Sequence, residues 1–234
     1  MDSRLTSLPI SGGHVKYRSL VGAVASAVLF ATAAAAQVCQ GDLSFRGSRK
    51  HVGGSLGITD HTTALGGGMT FGHVQGLFGG GSVGMVDYDA PLGSSLALNG
   101  GIGYSMPLSQ RSKWQVCPGG TLSLGFGPSI DLGGTSAHMS TQTVSLGASF
   151  GTVFPMNKSV TMLPFGSVGL GHTNVSLSAN GASASNSDTY LMLGFGAGFQ
   201  LSPTFALRPA LGFAVGADYI DDTVFSLGFT IALR

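Results

Sequence analysis

Leu191-Met-Leu-Gly-Phe-Gly-Ala-Gly-Phe-Gln-Leu201, "LMLGFGAGFQL", carries Leu191, Leu193, Phe195, Ala197, Phe199 and Leu201 on one parity and Met192, Gly194, Gly196, Gly198 and Gln200 on the other. Strict alternation marks a β-strand, whose successive side chains point to opposite faces. A strand with one face in water alternates apolar residues with charged or long polar ones. Here the second face is nearly bare. The strand therefore has grease outside and small residues inside, the pattern of a wall that separates lipid from a narrow interior.

Composition extends that reading to the whole chain. Charged residues make up 9% of it, and 39 of its 234 residues are glycine, against roughly 25% and 7% in soluble domains. All the acidic residues are Asp, and Gly, Ser, Thr, Val and Phe dominate, a bias away from helix. The N-terminus supplies the compartment. Lys16 and Arg18 precede the apolar run 20–33, and Ala34-Ala35-Ala36-Gln37 follows it. That is the charged, apolar and small-residue order of a secretory signal peptide. Residues 1–36 are read as that peptide, 37–49 as an N-terminal periplasmic segment and 50–234 as a barrel. No later segment offers the run of about 18 apolar residues that a spanning helix needs, and a closed barrel is the other way to satisfy every backbone group in lipid.

Period-two segments fall at 50–58, 64–72, 77–89, 95–107, 114–127, 142–155, 160–176, 189–202, 205–219 and 223–234. The sequence thus predicts an all-β fold, a closed antiparallel up-and-down transmembrane β-barrel of about ten strands, with eight as the fallback because the first two are short and broken by glycine. The short breaks read as periplasmic turns. The Ser/Thr/Gly/Asn-rich stretches 128–141 and 177–188 read as long outer loops. Charge checks the assignment independently: the mature basic residues (Arg46, Arg49, Lys50, Arg111, Lys113, Lys158, Arg208, Arg234) fall at one end, and the aspartates, apart from Asp42, at the other. The mature net charge of −1 (eight basic against nine Asp) speaks against a nucleic-acid partner. Tyr88, Tyr190 and Tyr219 at the outer ends, with Tyr104, Trp114, Phe154 and Phe205 at the inner ends, read as aromatic girdles.

The signal peptide, the hairpin "LMLGFGAGFQLSPTFALRPALGF" and the closing strand "VFSLGFTIALR" together resemble the small bacterial outer-membrane β-barrel proteins of the OmpA-transmembrane, OmpW and opacity-protein type. The resemblance implies export to the bacterial outer membrane, with outer-membrane lipid and the outer-membrane assembly machinery as partners. In that family the last strand commonly ends in an aromatic residue, where this chain has Arg234.

No motif points to catalysis. Gly79–Gly84 matches G-x-G-x-x-G, but no helix pattern follows it. Gly147-Ala-Ser149-Phe-Gly151 matches a nucleophile elbow, yet lies inside a strand pattern. His172-Thr173-Asn174 resembles the His-Ser-Asn region of outer-membrane lipid A deacylases, without its Ser or any Glu. Asp87, Asp89, Asp221 and Asp222 resemble the paired aspartates of omptin proteases, without the Asp-x-His partner. They are read instead as rim carboxylates that bind divalent cations loosely. No enzyme activity, cofactor or metal site is expected. Gly194, Gly196, Gly198, Gly212, Ala214, Gly216, Gly228 and Thr230 are expected to line the lumen, with Arg208 and Asp218 as its main charges near opposite rims. Cys39 and Cys117 both fall on the periplasmic side and are candidates for a disulfide that pins the N-terminal segment under the mouth. The expected function is a narrow passive pore for small solutes. A non-conducting structural or surface-interaction barrel is the alternative, and an outer-membrane hydrolase the third reading. That no periplasmic domain follows residue 234 counts against an envelope tether.

Overall fold

A computed structural model describes residues 38–42, 48–73, 75–89, 93–109, 113–131, 136–179, 182–217 and 223–233. Residues 1–36, read as the signal peptide, lie outside them. Eleven strands follow the 3₁₀ turn Val38–Gln40: β1 (Lys50–Ile58), β2 (Thr62–Gly72), β3 (Gly76–Tyr88), β4 (Gly93–Pro107), β5 (Gln115–Asp131), β6 (Ser136–Gly151), the stub β7 (Phe154–Pro155), β8 (Thr161–Ala179), β9 (Ala182–Ser202), β10 (Phe205–Val215) and β11 (Thr223–Leu233). Each long strand pairs antiparallel with its neighbours, β1 with β11 and β6 with β8, so ten strands close into a ring. Closure leaves no edge in the hydrocarbon, which is what lets a sheet span a membrane.

Side-chain parity sorts the two faces of the wall. Leu65, Leu77, Ile102, Leu146, Leu170 and Phe195 stand on the exposed outer face, while Thr70, Ser105, Ser123, Ser145 and Thr230 are buried inside. Many inward glycines serve the curvature of the wall. A Cβ on Gly147 would stand 2.5 Å from the carbonyl oxygen of Val168, and one on Gly169 2.7 Å from that of Leu146. Neighbouring strands approach there more closely than any side chain allows.

The stretches 128–141 and 177–188, expected as loops, are largely strand. β5 runs on to Asp131, β6 begins at Ser136, β8 reaches Ala179 and β9 begins at Ala182. Their Ser/Thr/Asn composition had been read as loop chemistry, but it belongs to strands with water on the outside. On the outer face, apolar residues give way to polar ones at one register row, Val144–His172–Thr189. Beyond it the outward positions are His138, Ser140, Gln142, Asn174, Ser176, Ser185 and Ser187. The wall formed by β5, β6, β8 and β9 therefore rises past the hydrocarbon on one side of the barrel, whereas β10 and β11 stop after 11 residues each.

Candidate functional site

The lumen is the concave feature of the fold, and its two ends are occupied by different means. The end where the described chain begins and ends also carries Arg49, Lys50, Lys113 and Lys158, and is the periplasmic mouth of the sequence reading. Here Val38–Asp42 lies inside the wall. Cys39 is fully buried and joined to Cys117 of β5 by a disulfide, with the Cα atoms 6.1 Å apart. Gly41 adopts φ +70°, which lets the chain turn against the ring of Phe165 and the backbone of Gly198. Residues 38–42 of the 37–49 stretch, expected to be pinned under the mouth where a bridge could make it a partial plug, enter the lumen. The covalent tie and the burial of Val38 hold them there.

Arg208, inward on β10, donates to the Gln40 carbonyl at 3.3 Å and faces Asp42 Oδ2 at 3.6 Å, with both side chains almost fully buried. Arg208 points inward as expected and pairs with Asp42, while Asp218, expected near the opposite rim, lies outside the described residues. The lumen thus holds Asp42 beside the expected Arg208, with His51 buried close by. The partner of Arg208 was missed because Asp42 precedes the first strand, where no parity rule reaches.

At the opposite end, Val86 and Tyr88 of β3 pack with Met139 of β6 and Val175 of β8, flanked by Ala64, Ala97 and Leu177. This cluster links walls three and four strands apart around the ring. Tyr88 and Tyr190, expected in a lipid-facing girdle, point inward and are 5% and 2% exposed. Tyr88 shares a hydrogen bond with Ser95, and Tyr190 with Thr173, both at 3.2 Å. Burying a tyrosine is tolerable when its hydroxyl finds a partner. The signal was present in the sequence, since Tyr88 shares the parity of Ser82, Gly84 and Val86. Tyr104, Trp114 and Phe154 are exposed at the periplasmic end.

Between the two ends the inner wall is polar and small. Thr121 and Ser145 share a hydrogen bond at 2.5 Å, Thr143 and Thr173 one at 2.8 Å, Asn99 Nδ2 donates to Ser82 Oγ at 3.3 Å, and Ser123 Oγ donates to Asn99. Among the described residues, cavities of about 190 Å³ and about 60 Å³ lie between the two ends, both lined in part by Arg208.

Of the expected lining residues, Gly194 and Gly212 border the larger cavity and Thr230 the smaller. Gly198 is covered by Gly41, and Gly228 lies under the Arg208 guanidinium. Gly196 backs onto Phe165, and Ala214 is buried beside Tyr190. Gly216 is corrected: it lies one residue past the end of β10 in a bend with φ +82°. It ends the strand instead of lining the lumen.

The residues of the catalytic motifs are not brought together. Ser149 is buried inside, while His172 is on the outer face, its Nδ1 2.8 Å from Thr189 Oγ1. At the rim, Asp87 accepts from Ser94 Oγ at 2.8 Å and Asp89 faces His61 at 3.7 Å. Among the described residues no group of three His, Cys, Asp or Glu gathers.

A closed antiparallel ring with an apolar belt outside and a small-residue lumen is an outer-membrane β-barrel, embedded in the lipid of the bacterial outer membrane. The chain belongs to the outer membrane protein beta-barrel domain family, whose model matches residues 22–231. No curated protein matches it. Similar solved structures include Ail, the attachment invasion locus protein of Yersinia pestis (19% identity, 78% of this chain and 93% of that one, TM-score 0.39). The β domain of the Bordetella autotransporter BrkA is similar too (13%, 79% and 98%, 0.46), as is the KdgM porin in complex with disordered oligogalacturonate (8%, 79% and 99%, 0.37). None of these likenesses bears on the role.

Proposed function

We propose that the protein is a non-conducting surface barrel that acts through the tall wall of β5, β6, β8 and β9, with the outer-membrane assembly machinery and lipid as its partners in reaching and holding that position. The observation that carries this reading is the filling of the lumen at both ends, by Val86, Tyr88, Met139 and Val175 at one and by Val38–Asp42 at the other. An apolar cluster across a pore excludes water and therefore ions. Small barrels are normally filled by side chains in this way. The polar outer face of the tall wall, rich in Ser, Thr and Asn, is then the surface left for contact with the exterior.

A passive pore is the second reading, favoured by the two cavities that leave the middle of the lumen unfilled. Conductance of the refolded mature protein in planar bilayers separates the two. The closed reading expects no channel steps from the oxidised protein. Reproducible steps with the disulfide intact overturn it in favour of the pore.

A further inference from the structure

β9 carries an open strand edge above the hydrocarbon. On one side it pairs with β8 without a break, from the pair of Ala179 and Ala182 to the pair of Thr161 and Gln200. On the other its last partner is Val215 of β10, opposite Leu191, and at Gly216 a φ of +82° turns the chain off the ladder. Ala182–Ser187 stand past that point and above the Val144–His172–Thr189 row, and all six are exposed. In an antiparallel sheet alternate residues turn their N–H and C=O to opposite neighbours. The Leu211 carbonyl lies 3.7 Å from where a Gly194 Cβ would stand, so Leu211 turns its backbone to β9, and its partner Phe195 turns to β10. Ser183, Ser185 and Ser187 share the parity of Phe195 and so face the open edge. Ser187 agrees: its N–H donates to the Asn186 side-chain oxygen at 3.0 Å. A carboxamide oxygen thus already meets an edge N–H, as a partner strand's carbonyl would. Proteins that keep an edge single place Lys, Pro or a bulge on it. Ala182–Ser187 carries none of these. The other edge of the tall wall does, for on β5 the pairing shifts between Phe126 and Ser129, and Gly127 takes φ +123°.

We propose that Ala182–Ser187 binds an extended segment of another polypeptide as an added strand, antiparallel to β9 and in the place that β10 leaves vacant. A row of backbone donors and acceptors is matched by another backbone, which selects a peptide over a glycan or a lipid. The inner face sets the side-chain preference. Ala182 and Ala184 are short, and Leu177 stands opposite Ala184 on β8. The segment therefore carries apolar residues where it turns inward and polar ones where it turns outward. A second copy does not fit the same edge. Two upright barrels in one membrane both run β9 inward, and with a tilt near 40° a two-fold axis along the membrane normal makes the two edges cross at about 80°. The inference rests on the tall wall of the proposed function as the contact surface, and names its partner.

The probe is a synthetic copy of residues 171–179, the β8 segment that already suits β9 on its other side. It is added to the oxidised barrel in lipid nanodiscs and read by amide hydrogen exchange. At saturation the Ser183, Ser185 and Ser187 amides are expected to exchange roughly tenfold more slowly, while those of Ala184 and Asn186, which face β8, change little. The same peptide N-methylated at the amides that would face β9 keeps every side chain and is expected to give no protection. Ser185→Pro removes an edge N–H and leaves the pairing with β8, a place where a strand accepts proline. It is expected to abolish the protection while the heat-modifiable electrophoretic band shows the barrel intact. Equal protection by the N-methylated peptide, protection on β5 instead, or none anywhere overturns the proposal. Protection without peptide that grows with the number of barrels per disc overturns it too, and assigns the edge to a second copy. Conductance is measured separately: channel steps with the peptide still bound overturn the closed-barrel reading alone, and absence of both steps and protection overturns the added strand alone.

Discussion

Gly198 of β9 and Gly41 of the N-terminal segment meet backbone to backbone inside the periplasmic mouth, so closely that a Cβ on Gly198 would overlap the Gly41 carbonyl. Neither partner is the end of a flexible side chain, so the collision cannot be relieved by a rotamer change. Gly198→Ala is therefore expected to unseat Val38–Asp42, at a cost of about 1–3 kcal/mol, as for other overpacked sites. Amide hydrogen exchange over residues 38–42 should rise in the variant. Gly100→Ala, whose nearest neighbour would be 3.9 Å away, should change stability by less than about 0.5 kcal/mol.

The Arg208–Asp42 pair yields a double-mutant test. Removing one member strands the other charge in a buried site, which costs about 3–5 kcal/mol, whereas replacing both by neutral residues is often close to neutral. Arg208→Met and Asp42→Asn are each expected to destabilise the barrel strongly, and the double variant to recover most of the loss in urea titrations. Additive losses would mean that the two residues do not depend on one another.

Cys39 and Cys117 are 78 residues apart. A crosslink over a loop of that length is expected to stabilise the folded chain by about 2–4 kcal/mol. Replacing both with Ser should lower the denaturation midpoint in the absence of reductant. The same difference should appear when the parent protein is reduced, and it should vanish between reduced parent and double variant.

The row Val144–His172–Thr189 fixes where hydrocarbon ends on the tall wall. An arginine on the lipid face costs about 2–4 kcal/mol at mid-membrane and about 0–1 kcal/mol near the interface. Val168→Arg, four residues below the row on the lipid face, should fall in the first range, and Asn174→Arg, on the other side of the row, in the second. Equal costs would move the boundary.

How much of this was legible depends on which forces act locally. Alternation along β9 to β11 fixed both faces, and β1 begins and ends at Lys50 and Ile58 as the sequence reading had it, because lipid outside and small residues inside leave a strong period of two. The same rule failed where both solvents are aqueous. Above the Val144 row the outward Ser, Thr and Asn no longer contrast with the interior, so strands and loops look alike. The contents of the lumen were hidden for another reason. Val38–Asp42 contributes no periodicity, and its place is set by a disulfide and by Arg208. Tyr88 was assigned by its nearness to a strand end when its parity pointed inward. Glycine was read as emptiness, whereas at Gly147 and Gly169 it answers to the close approach of adjacent strands.

The unequal height of the wall has one more consequence. β9 is 21 residues long and β10 is 11; they share their periplasmic end, and nine residues of β9, 182–190, run beyond its last partner on β10, all on the exterior side. At about 3.3 Å per residue and a tilt near 40° the strand ends step up by about 23 Å between them. A barrel with a level rim looks the same from every direction in the membrane plane, but this one has a front and a back. A molecule arriving from the side of β1, β2, β10 and β11 meets a low sill and the inner side of the tall sheet, where Met139 and Val175 alternate with Thr141 and Thr173. One arriving from the other side meets a screen of hydroxyls and amides. Neighbouring copies in the same membrane would have to choose an orientation toward each other, and a crowded patch of them would carry a texture that a field of level barrels lacks.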